Sequence, residues 1–314
     1  MDLLSDILYA LKLRGNLYFR TNLGAPWGID VPADRQVARF HVVIHGGCWL
    51  RVAGGDEPFY LEEGDLAIVP HGAGHQISDA PDTPCRPLME VLAEQTVTSE
   101  GLLCYGGKGE RTALVCGSFS FDEKVLHPLL ASLPRKLHVK GCDNLNFMWL
   151  DSAMRFISRE AGTGLIGSRA IAERLSEILF IQVIRLYAAN APDEIAFLAA
   201  LNDEQISRVL KELHSRQAHK WTLEEMARIG GFSRSAFAER FTKLLGMPPA
   251  QYLTRIRMLQ ARLTLEAGEA SLIEIAEHAG YNSEAAFSTA FKRHFGRSPC
   301  AYRRRVRIDA ETAG

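Results

Sequence analysis

Three things are missing from this 314-residue chain. No apolar run approaches the ~20 residues that a helix needs to span a bilayer, so no membrane partner is expected. The six cysteines, Cys48, Cys85, Cys104, Cys116, Cys142 and Cys300, include no Cys-x-x-Cys pair. In a chain of this length that pattern reads as reduced thiols, not as a disulfide framework. The opening, MDLLSDILYALKLRG, carries an acid at position 2 and lacks both a basic leader and a small-residue cleavage site. It predicts a short amphipathic helix instead of a secretory signal, and with it a cytoplasmic protein.

What is present is ordinary in bulk and uneven in distribution. A hydrophobic fraction of 47% and a charged fraction of 23% are those of a globular protein with room for two domains. From Asn202 onward there are 18 Lys and Arg against 13 Asp and Glu, net +5, whereas the remainder is net −6. A basic last third on an acidic body points to a polyanionic partner for that third.

Residues 17–121 read as many short strands, such as RFHVVIHGGCWLRVAG and ALVCGSFSF, broken by AGGDEP, PHGAGH and SDAPDTPCRP. That spacing predicts a β-sandwich or barrel over 1–121. From about residue 122 the apolar period becomes helical. Segments 144–161 and 168–190 predict long helices, and 122–192 is read as a dimerisation or connecting region. Ile171, Leu175, Ile178, Leu179, Ile181 and Ile184 offer more apolar surface than one face needs; they serve a homodimer or simply cover the barrel. AANAPDE at 188–194 reads as a linker, and 193–314 as an all-α domain. The fold class is therefore α+β.

The last third writes one pattern twice. GMPPAQY begins at Gly246 and GRSPCAY at Gly296, 50 residues later. Upstream, Thr222 and Ser271 are good N-caps followed by Glu224 and Glu225 or by Glu274. Ala227 and Ala276 are small, as a steep helix crossing requires. Gly231 and Gly280 suit a tight turn, and Ser233 and Ser283 cap a second helix. Phe237 and Phe241, like Phe287 and Phe291, share one helix face at i,i+4. Each copy is a helix-turn-helix whose second helix is shaped to enter a major groove. Between the copies runs PPAQYLTRIRMLQARLTLEAG, a helix of about 19 residues with a reach of ~28 Å. Adjacent major-groove faces lie ~34 Å apart, so the connector acts as a spacer.

This arrangement over 203–305 resembles the DNA-binding domain of AraC/XylS-type transcriptional regulators. The resemblance implies double-stranded promoter DNA and RNA polymerase as partners, and no enzymatic activity. It implies base-facing Ser235, Ala238 and Glu239 on the first reading helix, with Arg234 and Lys243 near phosphates. On the second it implies Glu284, Ala285, Ser288 and Thr289, with Lys292 and Arg293 near the backbone. Ala238, Ala285 and Ala286 are smaller than the family often has there and favour thymine methyls. Glu239 and Glu284 either accept from cytosine N4 or pair with a neighbouring Arg.

GDLAIVPHGAGHQISD at 64–79 follows the second cupin motif through Gly64, Pro70, Gly72 and His75, and so resembles the cupin barrels fused to such regulators. The first cupin motif, His-x-His with Glu, is missing; its place holds VPADRQVARF. No cofactor is expected, although His41, His45, His71 and His75 could gather around a zinc, with His71 and His75 the nearest candidates. His75 is otherwise a core residue. A small-molecule or oxidant effector is expected, with Trp27, Trp49, Phe40 and His41 as pocket candidates. Cys116, in LVCGSF, and Cys104, near Lys108, are the candidate oxidation sites; the alternative is that each is a small buried hydrophobe.

Overall fold

The computed structural model describes residues 3–11, 13–34, 37–54, 57–95, 97–98, 101–121, 127–141, 152, 156, 160, 165–190, 192–268 and 270–312. The chain divides into two compact units. One comprises 13–121 and 133–186. The other comprises 1–12, 122–132 and 187–314.

The first unit is built on two sheets. Strands β1 (Arg14–Gly24), β2 (Gly28–Val31), β3 (Val37–His45), β4 (Cys48–Val52), β5 (Phe59–Leu61), β6 (Leu66–Val69), β7 (His75–Ser78), β8 (Arg86–Pro87), β9 (Leu102–Gly106), β10 (Arg111–Ser120) and β11 (Leu137–Val139) appear in chain order. A short helix, α2 (Leu88–Glu94), follows β8; the N-terminal helix α1 (Leu3–Leu11) belongs to the other unit. Six strands form one sheet in the order β11-β6-β3-β10-β1-β9, and five form the other, β5-β4-β7-β2-β8. Their inner faces share a core that includes Trp27, Val43, Leu50, Ile77, Leu114 and Cys116.

Strand alternation decides which side chains enter that core. His41 and Val43 face inward from β3. Phe40, just before His41, faces outward and stacks on Phe119 at 4.8 Å, which in turn meets Phe180 at 5.1 Å. Phe180 lies on α4 (Ser168–Asn190), whose Leu179, Phe180, Val183 and Ile184 are fully buried. Phe40 is therefore part of the layer beneath a covering helix, not of the barrel interior. β1 approaches α4 closely at Gly15, where a Cβ would lie 2.6 Å from the Glu173 carbonyl oxygen and from the Ser176 Cβ. Ile171 and Ile178 on α4 remain exposed. The helix expected over 144–161 lies outside the described residues apart from 152, 156 and 160.

One sequence expectation needs correction. Residues past 122 were expected to be helical, yet Leu137–Val139 pairs antiparallel with β6. Three residues are too few to show a period, and β6 supplies the hydrogen bonds that define the strand. Across segment 188–194, α4 runs through Asn190 and a 3₁₀ turn spans Pro192–Glu194.

The second unit is helical: α1, α3 (Pro128–Ala131), α5 (Ala196–Asn202), α6 (Glu204–Ser215), α7 (Leu223–Gly230), α8 (Arg234–Leu245), α9 (Pro249–Ala267), α10 (Leu272–His278), α11 (Glu284–Phe295) and α12 (Pro299–Thr312). The connector is one unbroken 19-residue helix, α9. It buries Tyr252, Leu253, Ile256, Met258, Leu259 and Leu265 along its length.

Candidate nucleic-acid interface and barrel centre

Each copy of the repeated motif folds through the same local bonds. Thr222 Oγ1 accepts from Glu225 N while Glu225 accepts from Thr222 N, closing a capping box on α7. Ser271 and Glu274 do the same for α10. Gly231 and Gly280 then turn the chain at φ +73° and +75°, in the left-handed region that a side chain disfavours. Across each turn the following aromatic amide, Phe232 or Tyr281, donates to Ala227 or Ala276 at 2.9 Å. Ser233 and Ser283 cap α8 and α11 by accepting from Ala236 N and Ala286 N.

The phenylalanine pairs point inward. Phe237, Phe241, Phe287 and Phe291 are all fully buried, and their rings meet within each helix at 5.4 and 5.6 Å. The opposite faces of α8 and α11 are polar and open. Arg234, Ser235, Glu239 and Lys243 are exposed on α8, and Ala238 is half-buried. On α11, Glu284, Ala285, Thr289, Lys292 and Arg293 are exposed, and Ser288 is half-buried. Arg234 is tied to Glu224 of α7 at 2.8 Å. Thr289 Oγ1 donates to the Ala285 carbonyl at 3.0 Å. Neither Glu239 nor Glu284 enters an ion pair among the described residues.

Sequence reasoning missed the residue that seats α8. Asp203 caps α6 by accepting from Gln205 N and Ile206 N, and its other oxygen takes Arg240 Nε and Nη2 at 3.1 and 2.7 Å. These hydrogen bonds hold the Asp203 carboxyl below its ordinary range against the opposing effect of partial burial. The D-x-x at a helix start marked the cap; nothing local marked a partner 37 residues away.

The barrel centre holds a chain of three groups. His75 Nδ1 lies 3.1 Å from the Ala73 carbonyl, which can only accept, so His75 carries its proton there. His75 Nε2 is then an acceptor for His41 Nε2–H at 2.7 Å. That leaves His41 Nδ1 as the acceptor for the Cys116 thiol at 3.2 Å. Burial is the main reason that both rings stay neutral, with His75 lowered to about 4 and His41 lowered further by its neighbour. Burial also pushes the Cys116 thiol far above its usual range, and Cys48, in the same core, to about 12.

The four histidines grouped in the sequence reading do not gather. His71 Nε2 donates to the Leu133 carbonyl at 2.8 Å, and His45 pairs with Glu63 at the surface at 3.1 Å. Among the described residues no group of three or more His, Cys, Asp or Glu is arranged to hold a metal ion. The pocket candidates also separate. Trp27 is buried in the core that contains Cys116, and its Nε1 has no hydrogen-bond partner among the described residues. Trp49 alternates with inward Cys48 and Leu50 and packs on Tyr60 at 5.3 Å, away from that core. Cys104 is exposed beside inward Leu103.

Comparison with known proteins settles what this pair of units is. The cupin family matches residues 2–189 and a helix-turn-helix domain family matches residues 226–305. An AraC-like transcription regulator of Streptomyces lividans is 35% identical over 305 residues, covering 97% of this chain and 98% of its own length. The chain belongs to the AraC family of transcription regulators. As an AraC-type regulator it binds DNA through the helical unit. The RCS-specific HTH-type transcriptional activator RclR of Escherichia coli is 27% identical, covering 98% of this chain and 99% of its own. The DNA-binding domain of AdpA, solved in complex with a target DNA, is 33% identical over 33% of this chain and 93% of its own, with a TM-score of 0.32. No helix among the described residues is long and apolar enough to cross a membrane.

Proposed function

We propose that this AraC-family regulator reads promoter DNA with the open faces of α8 and α11 and is controlled by a small molecule or oxidant sensed at the barrel centre. The observation that carries the first half is the pairing of buried Phe faces with polar outer faces on two capped, duplicated helices. Side chains on those faces are free to meet base edges, and Arg234, Lys243, Lys292 and Arg293 supply phosphate contacts. Glu239 and Glu284, without ion-pair partners among the described residues, are available to accept from cytosine N4, and Ala238 and Ala285 to meet thymine methyls.

The second half is supported by the convergence of Cys116, His41, His75 and Trp27 in one core. A neutral, directional chain of donors and acceptors costs stability to bury and is sensitive to any species that takes or replaces one proton. RNA polymerase as partner, a homodimer and a cytoplasmic location belong to the same proposal, and no enzymatic activity is expected. The test is selection of bound DNA from a random pool by the full chain, with and without oxidant. Enrichment of a motif with two short elements supports the reading. Binding without sequence preference in both arms overturns it.

A further inference from the structure

Two reading helices act as one device only if the angle between them is fixed. α9 sets their separation, because a helix is stiff along its axis. It does not by itself stop either motif from rocking about that axis. The second motif packs on α9 through a core that includes Met258, Ala261, Leu265, Ala276 and Phe287. The first motif meets the start of α9, where Phe241 packs on Tyr252. Between these two contact zones in the sequence of α9 comes Arg257, whose side chain is half-buried.

The guanidinium of Arg257 is engaged by both motifs. Nε donates to the Gln217 carbonyl at 2.8 Å and Nη2 to the His219 carbonyl at 2.7 Å. Both carbonyls belong to the turn between α6 and α7. The His219 carbonyl also accepts from Trp221 N at 2.9 Å, next to Thr222, the cap of α7. On the other side lies Gly280, the turn glycine of the second motif. A Cβ there would be 2.6 Å from Arg257 Cζ, 2.7 Å from Nη2 and 2.9 Å from Nη1. Cζ is the nearest of the three, so the planar group meets the turn with its face and keeps an edge for the two carbonyls. Tyr281, the next residue, carries the contact to α11 through Phe287 at 5.9 Å. The matching turn of the first motif differs: a Cβ on Gly231 would meet just Gln205 Nε2, at 3.4 Å, among the described residues.

We propose that Arg257 is a strut that fixes the angle between the two reading helices and so sets the spacing of the DNA elements they read together. It is a positioning residue: it acts through the lead-in turn of one motif and the inner turn of the other. Arginine suits the task because its fork offers two N–H groups on one edge and a flat face that needs a glycine beneath it. The inference rests on α8 and α11 both reading DNA, and adds what couples them. One extra base pair between the two elements turns the second by about 35° and moves it by about 3.4 Å. Heads held at one angle cannot follow that turn, whereas heads free to rock follow much of it.

The test uses the duplex that the full chain enriches from a random pool, and the same duplex with one base pair inserted between its two elements. Fluorescence anisotropy gives the ratio of the two dissociation constants, in which a general loss of fold or of charge cancels. For the wild type the ratio should be about tenfold or more, and Arg257→Met should bring it to about threefold or less. Gly280→Ala should do the same with the charge left in place, because the added methyl dislodges the guanidinium. Gly231→Ala meets a matching left-handed φ, +73° against +75°, but not the strut, and should keep the wild-type ratio whatever affinity it loses. A wild-type ratio in folded Arg257→Met or in Gly280→Ala overturns the proposal, and so does a ratio that falls as far in Gly231→Ala. If Arg257→Met fails to fold, the two glycine variants decide alone. A wild type that needs both elements but accepts the insertion overturns the strut alone; one indifferent to scrambling of either element overturns the two-headed reading beneath it.

Discussion

Phe241 meets Tyr252 edge to face at 5.5 Å and 78°, and fifty residues on Phe291 meets Tyr302 at 5.7 Å and the same angle. Each tyrosine closes its repeat by reaching back to the helix that precedes it. Tyr252 bonds His214 of α6, and Tyr302 Oη donates to Glu266 of α9 at 2.8 Å. The second site carries a charge as well, because Glu266 is 3.7 Å from Arg262, whose side chain is fully buried. Tyr302→Phe should cost about 1 kcal/mol, the usual net worth of one hydrogen bond. Glu266→Ala should cost more, about 3 kcal/mol, because it removes both the acceptor of the Tyr302 hydroxyl and a carboxylate beside a buried guanidinium. Urea unfolding followed by hydrogen exchange in α9 and α12 measures both; equal losses would show that the ion pair adds nothing.

Arg234 reaches Glu224 at 2.8 Å across the turn of the first motif, yet its side chain remains largely exposed. The pair positions the guanidinium without burying it, so a phosphate can replace the carboxylate. Arg234→Ala should weaken all DNA sequences alike and flatten the plot of log affinity against log salt by about one unit of slope. Glu224→Gln should strengthen binding modestly and uniformly. Glu239→Ala, by contrast, should change preference at one base position and leave the salt slope alone. Binding curves on selected and scrambled sites at several salt concentrations separate the three.

Much of the helical unit was legible because its signals are local. Capping boxes, left-handed glycines and i,i+4 Phe pairs lie within about twenty residues of one another, and each appears where the spelling predicts. The barrel was legible as a class but not as a site. Strand parity separates His41 from Phe40 and Cys48 from Trp49, yet which parity faces inward depends on sheet pairing that no short window contains. The chain from Cys116 through His41 to His75 joins residues 75 and 34 apart in sequence. Asp203 with Arg240, and α1 with the helical unit, are long-range in the same way.

Acid should loosen the barrel. His75 is lowered from 6.5 to about 4 by burial, and His41 moves in the same direction. The folded state therefore binds fewer protons than the unfolded chain between those values, and stability falls as pH drops below about 6.5. For His75 alone the loss is about 2 kcal/mol by pH 5. His127 and His214 act in the same sense in the helical unit, the latter also lowered to about 4. Thermal unfolding from pH 7.5 to 5.0 should show a steep decline that becomes shallower, by up to one proton, in His75→Gln. An unchanged slope in that variant would mean that the ring is already open to solvent.

The cysteines should divide sharply by position. Cys104 and Cys300 are exposed, whereas Cys48 and Cys116 are buried in the barrel core, where burial pushes both thiols toward the protonated form. Thiolate is the reacting species, so a core thiol fails twice, by access and by charge. With iodoacetamide at pH 8, mass spectrometry should find Cys104 and Cys300 alkylated within minutes and Cys48 and Cys116 protected until urea unfolds the barrel. His41→Ala removes the acceptor of the Cys116 thiol and opens space beside it, and should shorten that protection. Labelling of Cys116 in the folded wild type as fast as Cys104 would show an interior that opens readily, which would favour direct oxidation of this thiol over recognition of a small molecule as the event the barrel senses.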